Sequence, residues 1–260
     1  MKLLVQSDDY GITKAVSLGI IEAIEFGIVR NTGLFANMPW AGEVVEFIKP
    51  FLNDIAFGVD LNLSTGPALL NSSEIPSLIQ SDGTFLSSSM NRKLDTEENH
   101  YDHAVYKEVY KEFEAQIQKY MQLVGKKPDY LHAHAYVTKT IKQVSRDLAK
   151  KYDVPYSIDI IENEKMGPSD MGWYKFPPTL DNQLQSSLKD YVIEDKNDYL
   201  NHEFGVLVCH CGYADSQLFK FSSFNLYRIK DLEAMTSIEV KNWLNAHHVE
   251  LVTYKDIKEL

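Results

Sequence analysis

The sequence predicts one α/β domain whose parallel strands close into a barrel. Three observations support this: about seven short apolar segments alternate with helical ones, acids and histidines collect at the C-terminal ends of those segments, and no linker, repeat or low-complexity tract divides the 260 residues. The length suits a single barrel over residues 1–260, and a chain of this size can bury a large core. Hydrophobic residues at 44% and charged residues at 24% are ordinary globular values.

The elements follow in order. Leu3-Leu4-Val5 opens a buried strand that ends in Ser7-Asp8-Asp9-Tyr10-Gly11. Thr13 is placed to cap a helix carrying Ala15, Leu18, Gly19, Ala23 and Phe26 at helical spacing. A second strand is expected around Thr32–Ala36, and a helix over Ala41–Ile48 stopped by Pro50. The third strand, Ile55–Leu63, alternates, with Asp60 and Asn62 on one face where a buried strand would ordinarily carry apolar groups. Residues 64–102 read as a long irregular stretch, the kind that is usually functional or mobile. A helix over about Tyr101–Val124 ends at Gly125. Pro128–Ala135 reads as a strand, Thr138–Tyr152 as a helix, Pro155–Ile161 as a strand and Gln183–Ile193 as a helix. Phe204–Cys209 is an apolar strand running into His210-Cys211-Gly212-Tyr213. Helices near Arg228–Met235 and Ser237–Ala246, a strand at Val249–Val252 and a short helix near Tyr254–Leu260 complete the chain.

Bulk properties exclude some partners. A net charge of −11 repels phosphate backbones, so nucleic acid is not an expected partner. The N-terminal apolar run is too short for a signal-peptide core and no stretch approaches about 18 apolar residues, so a cytoplasmic location without membrane partners is expected. Cys209 and Cys211 are too few for a disulfide framework and are read as pointing to opposite faces of their strand. A Cys-His-Cys metal clip is therefore not expected.

The chemistry is positional. Four strand ends deliver Asp8, Asp9, Asp60, His132, His134 and His210 toward one rim, which would make a metal-binding pocket. Of two adjacent carboxylates, one can ligate while the other stays free as a general base, provided the strand end twists to bring both inward. A helix N-cap is the plain alternative for Asp8-Asp9. His132 and His134 are two apart and share a strand face, which suits joint ligation or a ligand with a supporting partner; an exposed pair is the alternative. His210 taken alone reads more often as a satisfied buried histidine than as a functional one. His100, His103, His202, His247 and His248 sit in polar or helical contexts and are expected to face solvent.

Taken together these segments resemble the YdjC/ChbG family of carbohydrate deacetylases over nearly the whole chain. The family opening (A/N)-D-D-(F/Y)-G is matched by Ser7–Gly11, and its "TS…MAN-MP" stretch by Asn31–Pro39. Its G-(L/V)-H-L-N-L-T is echoed by Gly58–Ser64, its "P…D-S-H-x-H" by Pro128–His134, its "E-(L/I)-M-x-H-P-G-Y" by Val206–Tyr213, and an Arg-x-x-E-L-like helix by Arg228–Leu232. The resemblance implies a distorted (β/α) barrel of the glycoside hydrolase/deacetylase type and a divalent metal. It implies hydrolytic removal of an acetyl group from an N-acetylated sugar or short chitooligosaccharide. By analogy Asp9, Asp60 and His134 are the metal ligands, Asp8 the general base, His210 the general acid and His132 a supporting neighbour. Tyr10, Asn62 and Tyr213 are expected at the substrate, with Trp40 and Trp173 as further aromatics for a sugar face or the core.

Departures from the family pattern bear on the metal. Asp60 stands where the family has histidine, and His132 where it has an acid. Cys211 replaces a proline, and Pro155–Asp159 lacks the usual arginine. Two carboxylates with one imidazole favour Mg²⁺, with Mn²⁺ or Zn²⁺ as alternatives. The competing readings are a catalytically degenerate barrel that binds sugar or metal without turnover, a metal-free glycosidase built on paired carboxylates, and a metal-dependent phosphoesterase. Barrels of this kind commonly form homodimers, and the sequence leaves that open.

Overall fold

The first strand, β1 (Lys2–Tyr10), is buried along all but its first residue in a computed structural model that describes residues 1–257. It is followed by α1 (Lys14–Glu25), β2 (Asn31–Leu34), α2 (Ala41–Ile48), β3 (Ala56–Leu61), α3 (Ser88–Leu94), α4 (Tyr106–Val124), β4 (Leu131–Ala133) and α5 (Lys139–Tyr152). Then come α6 (Ser157–Ile161), α7 (Leu180–Leu184), α8 (Leu188–Ile193), β5 (Phe204–Cys209), α9 (Leu218–Phe221), α10 (Leu226–Thr236), α11 (Ile238–Ala246) and β6 (Glu250–Val252). The strands form one parallel sheet in the order β4-β3-β2-β1-β5, with β6 also on β1. Parallel strands need helical crossovers and burial on both faces, which is why these strands read as apolar runs.

β1 pairs β5 from Lys2 to Ser7, β6 from Lys2 to Leu4, and β2 from Gln6 to Tyr10. A strand has two edges, so β6 and β2 share one of them in succession. Asn31 closes the seam: its Nδ2 donates to the carbonyls of Val5 (3.1 Å) and Val252 (3.2 Å), and its Oδ1 accepts from the Tyr254 N–H at 3.0 Å.

Between the outer strands β4 and β5 the ring is completed irregularly. Single parallel bridges join Leu131 to Tyr156 and Met166 to Phe204. This is where the expected strand over Pro155–Ile161 fails, because after Tyr156 the chain turns into the short helix α6. The expected helix over Gln183–Ile193 is likewise two helices, α7 and α8, broken at 185–187. The expected C-terminal helix lies partly outside the described residues; Tyr254–Asp256 form a turn.

Two cores result. The larger lies between sheet and helices; the smaller, inside the ring, joins Leu4, Ala56, Val206 and Val252 with Tyr130 and Tyr254. This inner layer plugs one end of the barrel, so the polar inward residues further along β1, β3 and β4 sit above an apolar floor. Gly58 makes room for it, since a Cβ there would lie 2.6 Å from the Tyr130 carbonyl oxygen and 2.7 Å from its ring. Thr13 caps α1 as expected, accepting from the Val16 N–H at 3.1 Å.

The connection after β3 holds a small antiparallel turn (Pro67 with Thr84, Ile79 with Phe85) and α3. Buried Glu112 of α4 pins it by accepting from the Leu69 and Leu70 N–H groups at 3.1 and 3.0 Å. Among the described residues no helix is long and apolar enough to cross a membrane.

Candidate active site

The site begins with an irregularity in β1. Ser7 pairs with Thr32 but Tyr10 with Leu34, so β1 carries one residue more than β2 at this point. Asp9 absorbs the bulge with φ +73°, a left-handed conformation that Asp tolerates better than most residues. The bulge satisfies the geometric condition on neighbouring carboxylates, because both turn inward.

Asp8 faces His132, with Oδ2 3.4 Å from Nε2, and Asp9 faces His134, with Oδ1 2.8 Å from Nδ1. The Gln6 amide also donates to Asp8, and Ser157 Oγ holds His132 Nδ1 at 2.7 Å. His134 is steadied by the Phe35 ring, edge-on at 4.7 Å between centroids. Asp60 Oδ2 accepts the Asp9 N–H at 2.8 Å. Asp60 reaches across Gly33 to do so, since a Cβ at Gly33 would fall 1.9 Å from Asp60 Oδ1.

Two residues without an assigned role in the sequence reading complete the constellation from α10. Arg228, fully buried, places Nη2 2.5 Å from Asp9 Oδ2 and donates from Nε to the Phe224 carbonyl at 2.9 Å. Asp231 accepts the His210 N–H (2.8 Å) and Trp173 Nε1–H (3.2 Å), and also the Tyr174 hydroxyl. Tyr174 Oη in turn lies 2.9 Å from His210 Nδ1. The spacing Arg228-x-x-Asp231 was the available signal: two charges three apart share a helix face, here the buried one.

The electrostatics follow from burial and pairing. Burial alone would raise Asp9, but His134 and Arg228 hold it well below the usual carboxylate range. Asp8 is also lowered, with His132 overcoming its burial. Burial opposes a charge on His132 and His134, yet the neighbouring carboxylates win and raise both, His132 to about 9. Asp60 is pushed up to about 7 by burial and by Asp8. Asp231 is raised to about 7 by burial against its donors. His210 is lowered by burial.

All six strand-end residues therefore meet. Asp8, Asp9, Asp60, His132 and His134 form one linked cluster, with His210 close enough to feel the charges of Asp8, Asp9, Arg228 and His134. Asp9 Oδ1 and Asp60 Oδ1 are buried carboxylate oxygens with no hydrogen-bond partner; the 2.8 Å approach of His134 is a close ion pair without hydrogen-bond alignment. Hard, unpartnered oxygens beside an imidazole suit a divalent cation, although among the described residues no three His, Cys, Asp or Glu side chains stand as a ready cluster.

Two expected substrate contacts are corrected. Tyr10 is fully buried and its hydroxyl donates to the Val44 carbonyl at 2.7 Å. Asn62 is also fully buried, bonding Asn37 and Thr65 through its side chain and Gln116 through its backbone. Trp173 belongs to the core. Tyr213 is 40% exposed and bonds Glu22. The cysteines are corrected too: a period of two puts i and i+2 on the same face, and the sulfurs of Cys209 and Cys211 lie 3.7 Å apart. Of the five other histidines, His100, His247 and His248 are exposed as expected, whereas His202 is half-buried and His103 is half-buried with Nε2 2.9 Å from the buried Asn91 Oδ1.

The profile of the YdjC-like protein family matches residues 2–246. A protein of Clostridium beijerinckii named carbohydrate deacetylase is 30% identical over 266 residues, covering 99% of this chain and 100% of its own length. The crystal structure of a putative cellobiose-phosphate cleavage protein from Enterococcus faecalis V583 superposes with a TM-score of 0.81 at 26% identity, covering 98% of each chain. The Xyl-CE4 domain of a xylanase from the Trinervitermes trinervoides hindgut metagenome has a TM-score of 0.50 at 8% identity, over 98% of this chain and 87% of its own, a likeness of fold alone.

Proposed function

Because the chain belongs to the YdjC-like protein family, we propose that it is a metal-dependent deacetylase that hydrolyses the acetamide of an N-acetylated sugar or short chitooligosaccharide. The observation that carries this reading is the convergence of Asp9 with His134 at 2.8 Å beside Asp8 and His132, an acid pair and a histidine pair from distant stretches of the sequence. Relatives named carbohydrate deacetylase along the full chain support the substrate class.

Asp9, Asp60 and His134 would hold the cation, with Mg²⁺ favoured over Mn²⁺ or Zn²⁺ by the two carboxylates. When bound, such an ion acidifies water and polarises an acyl oxygen. Asp8, charged at neutral pH, takes a proton from the water as its oxygen bonds to the acetamide carbon. The C–N bond then breaks, and the amine nitrogen receives its proton from His210, because an unprotonated amide nitrogen leaves poorly. Acetate and the free amine are the products. His134 and His210 each keep some exposure to solvent.

The test is acetate release from N-acetylglucosamine oligomers with Mg²⁺, Mn²⁺ or Zn²⁺ and after chelation. Asp8→Asn is expected to lose at least about 10²-fold in turnover while still binding metal. Normal deacetylation by this variant would refute the assigned base. A degenerate, non-catalytic barrel is the second reading, favoured by His132 standing 3.4 Å from the proposed base. It predicts no acetate with any metal.

A further inference from the structure

The His210 ring reaches a carboxylate only through a phenol, and that intervening group has a consequence for where the ring's protons sit. Its Nδ1 lies 2.9 Å from the hydroxyl of Tyr174, and that hydroxyl donates to Asp231 Oδ2. Once ionised, as it is above its raised value of about 7, Asp231 is committed to accepting. The His210 backbone N–H at 2.8 Å and Trp173 Nε1–H at 3.2 Å can only donate to it. The phenol has one hydrogen, and the carboxylate takes it. The phenolic oxygen is left to accept, so Nδ1 must carry a hydrogen.

We propose that Tyr174 is the positioning residue of His210: it fixes the imidazole as the Nδ1–H tautomer and leaves Nε2 as the nitrogen that faces the amide. This rests on the deacetylase reading and deepens it. With Nδ1 bonded, Nε2 is the nitrogen that first takes up a proton from solvent to give the imidazolium, and it is this proton that is delivered to the leaving amine. The carboxylate at the far end of the relay favours that cation through the phenol.

The surroundings support a designed support over a chance contact. Tyr174 and Asp231 are buried. The Tyr174 ring packs at 4.9 Å from the rings of Trp173, Phe224 and Tyr227, and Phe224 meets the His210 ring at 5.4 Å. The charged groups that His210 feels are Asp8 and Asp9 of β1, His134 after β4, and Arg228 of α10. None of these has a recorded contact with Nδ1; that atom belongs to Tyr174.

The experiment uses the full chain labelled with ¹⁵N-histidine, observed at pH 8, where Asp231 is ionised, alongside steady-state kinetics. The wild-type His210 is expected to show a protonated Nδ1 and a bare Nε2. Tyr174→Phe keeps the ring and removes the hydroxyl. It is expected to shift His210 toward the Nε2–H tautomer and to lower kcat roughly ten- to a hundredfold with KM within about twofold, a part of the ~10²–10⁴ that a general acid supplies. Asp231→Asn is expected to shift the tautomer the same way. An unchanged tautomer in Tyr174→Phe, or a wild-type His210 resting as Nε2–H, overturns the proposal. So does a loss that appears only in KM. A wild-type protein that releases no acetate overturns the deacetylase reading instead, and the tautomer comparison still decides the role of Tyr174.

Discussion

Arg228→Met removes the buried cation that neutralises Asp9 while keeping most of the side-chain volume. Deleting one partner of a buried ion pair typically costs about 3–5 kcal/mol, because the remaining charge is left uncompensated. The wild-type arginine is itself imperfectly satisfied, since its Nη1 has no hydrogen-bond partner, which argues against the top of that range. For a chain of this size about 2–4 °C accompanies each kcal/mol, so a loss of about 3–4 kcal/mol is expected to lower Tm by roughly 6–16 °C. The assay is calorimetry in chelated buffer, so that a bound cation cannot take the arginine's place. The sign with pH follows from the depressed Asp9 carboxyl, which burial would raise but His134 and Arg228 hold down. Such a group stabilises fully above its unfolded value near 3.8 and loses that contribution as pH falls through the lower folded value. The gap between wild type and variant should therefore be widest at neutral pH and close toward strong acid. Asp9→Asn in the Arg228→Met background should cost less than the sum of the single losses. Additive losses, or a Tm within about 1 °C of wild type, would refute the claim that this pair is a mutual charge compensation.

Gly33→Ala would place a Cβ 1.9 Å from Asp60 Oδ1 and 2.9 Å from its backbone nitrogen. Asp60 must swing off the Asp9 N–H, and overpacking with an unsatisfied buried donor is expected to cost about 2–5 kcal/mol. Removing the carboxyl as well, in Gly33→Ala/Asp60→Ala, should recover part of the lost Tm; no recovery would locate the clash elsewhere. His132, raised to about 9 by carboxylates that outweigh its burial, contributes stability fully below the ordinary value of 6.5 and loses it as pH climbs through about 9. His132→Gln should flatten the decline of Tm between pH 7 and 9.5, leaving the part due to His134, which is raised in the same direction. Superimposable slopes would mean that His132 is not an imidazolium at neutral pH.

The sequence carried the parts of this site that depend on local periodicity. His132 and His134 share a face because strands repeat every two residues, and the strand Phe204–Cys209 places His210 at its end. What it did not carry depends on tertiary override. The run Ser157-Ile158-Asp159-Ile160-Ile161 has the β-branched composition of a strand, yet only Tyr156 beside it finds a strand partner, and the chain coils to cross the gap in the ring. Tyr10 follows the bulge and so points outward to Val44 when strict alternation from Asp8 would turn it inward. Asn62 lies one residue past the end of β3, where its side chain turns to hold the next loop. Arg228 and Asp231 lie on a helix, where charges ordinarily face water, and Tyr174 lies outside any helix or strand. Beyond the three-residue spacing of Arg228 and Asp231, nothing local marks these residues as buried parts of a site, and nothing at all marks Tyr174.

The inserted residue in β1 is what turns two adjacent acids into one site. In a regular strand Asp8 and Asp9 would face opposite sides, and only one could meet the histidines of β4. With the bulge, neighbours in sequence are matched to residues two apart: Asp8 to His132 and Asp9 to His134. The two carboxylates are then distinguished by their remaining partners. Asp8 receives only a neutral amide, from Gln6, besides its imidazole, whereas Asp9 has its second oxygen held by a guanidinium and its N–H tied to Asp60. A carboxylate fixed on both sides suits a stationary ligand. One held by an amide and an imidazole 3.4 Å away retains the freedom a base needs to accept a proton. The division of labour proposed for the two acids thus accords with their backbone and partner geometry, before any cation is considered.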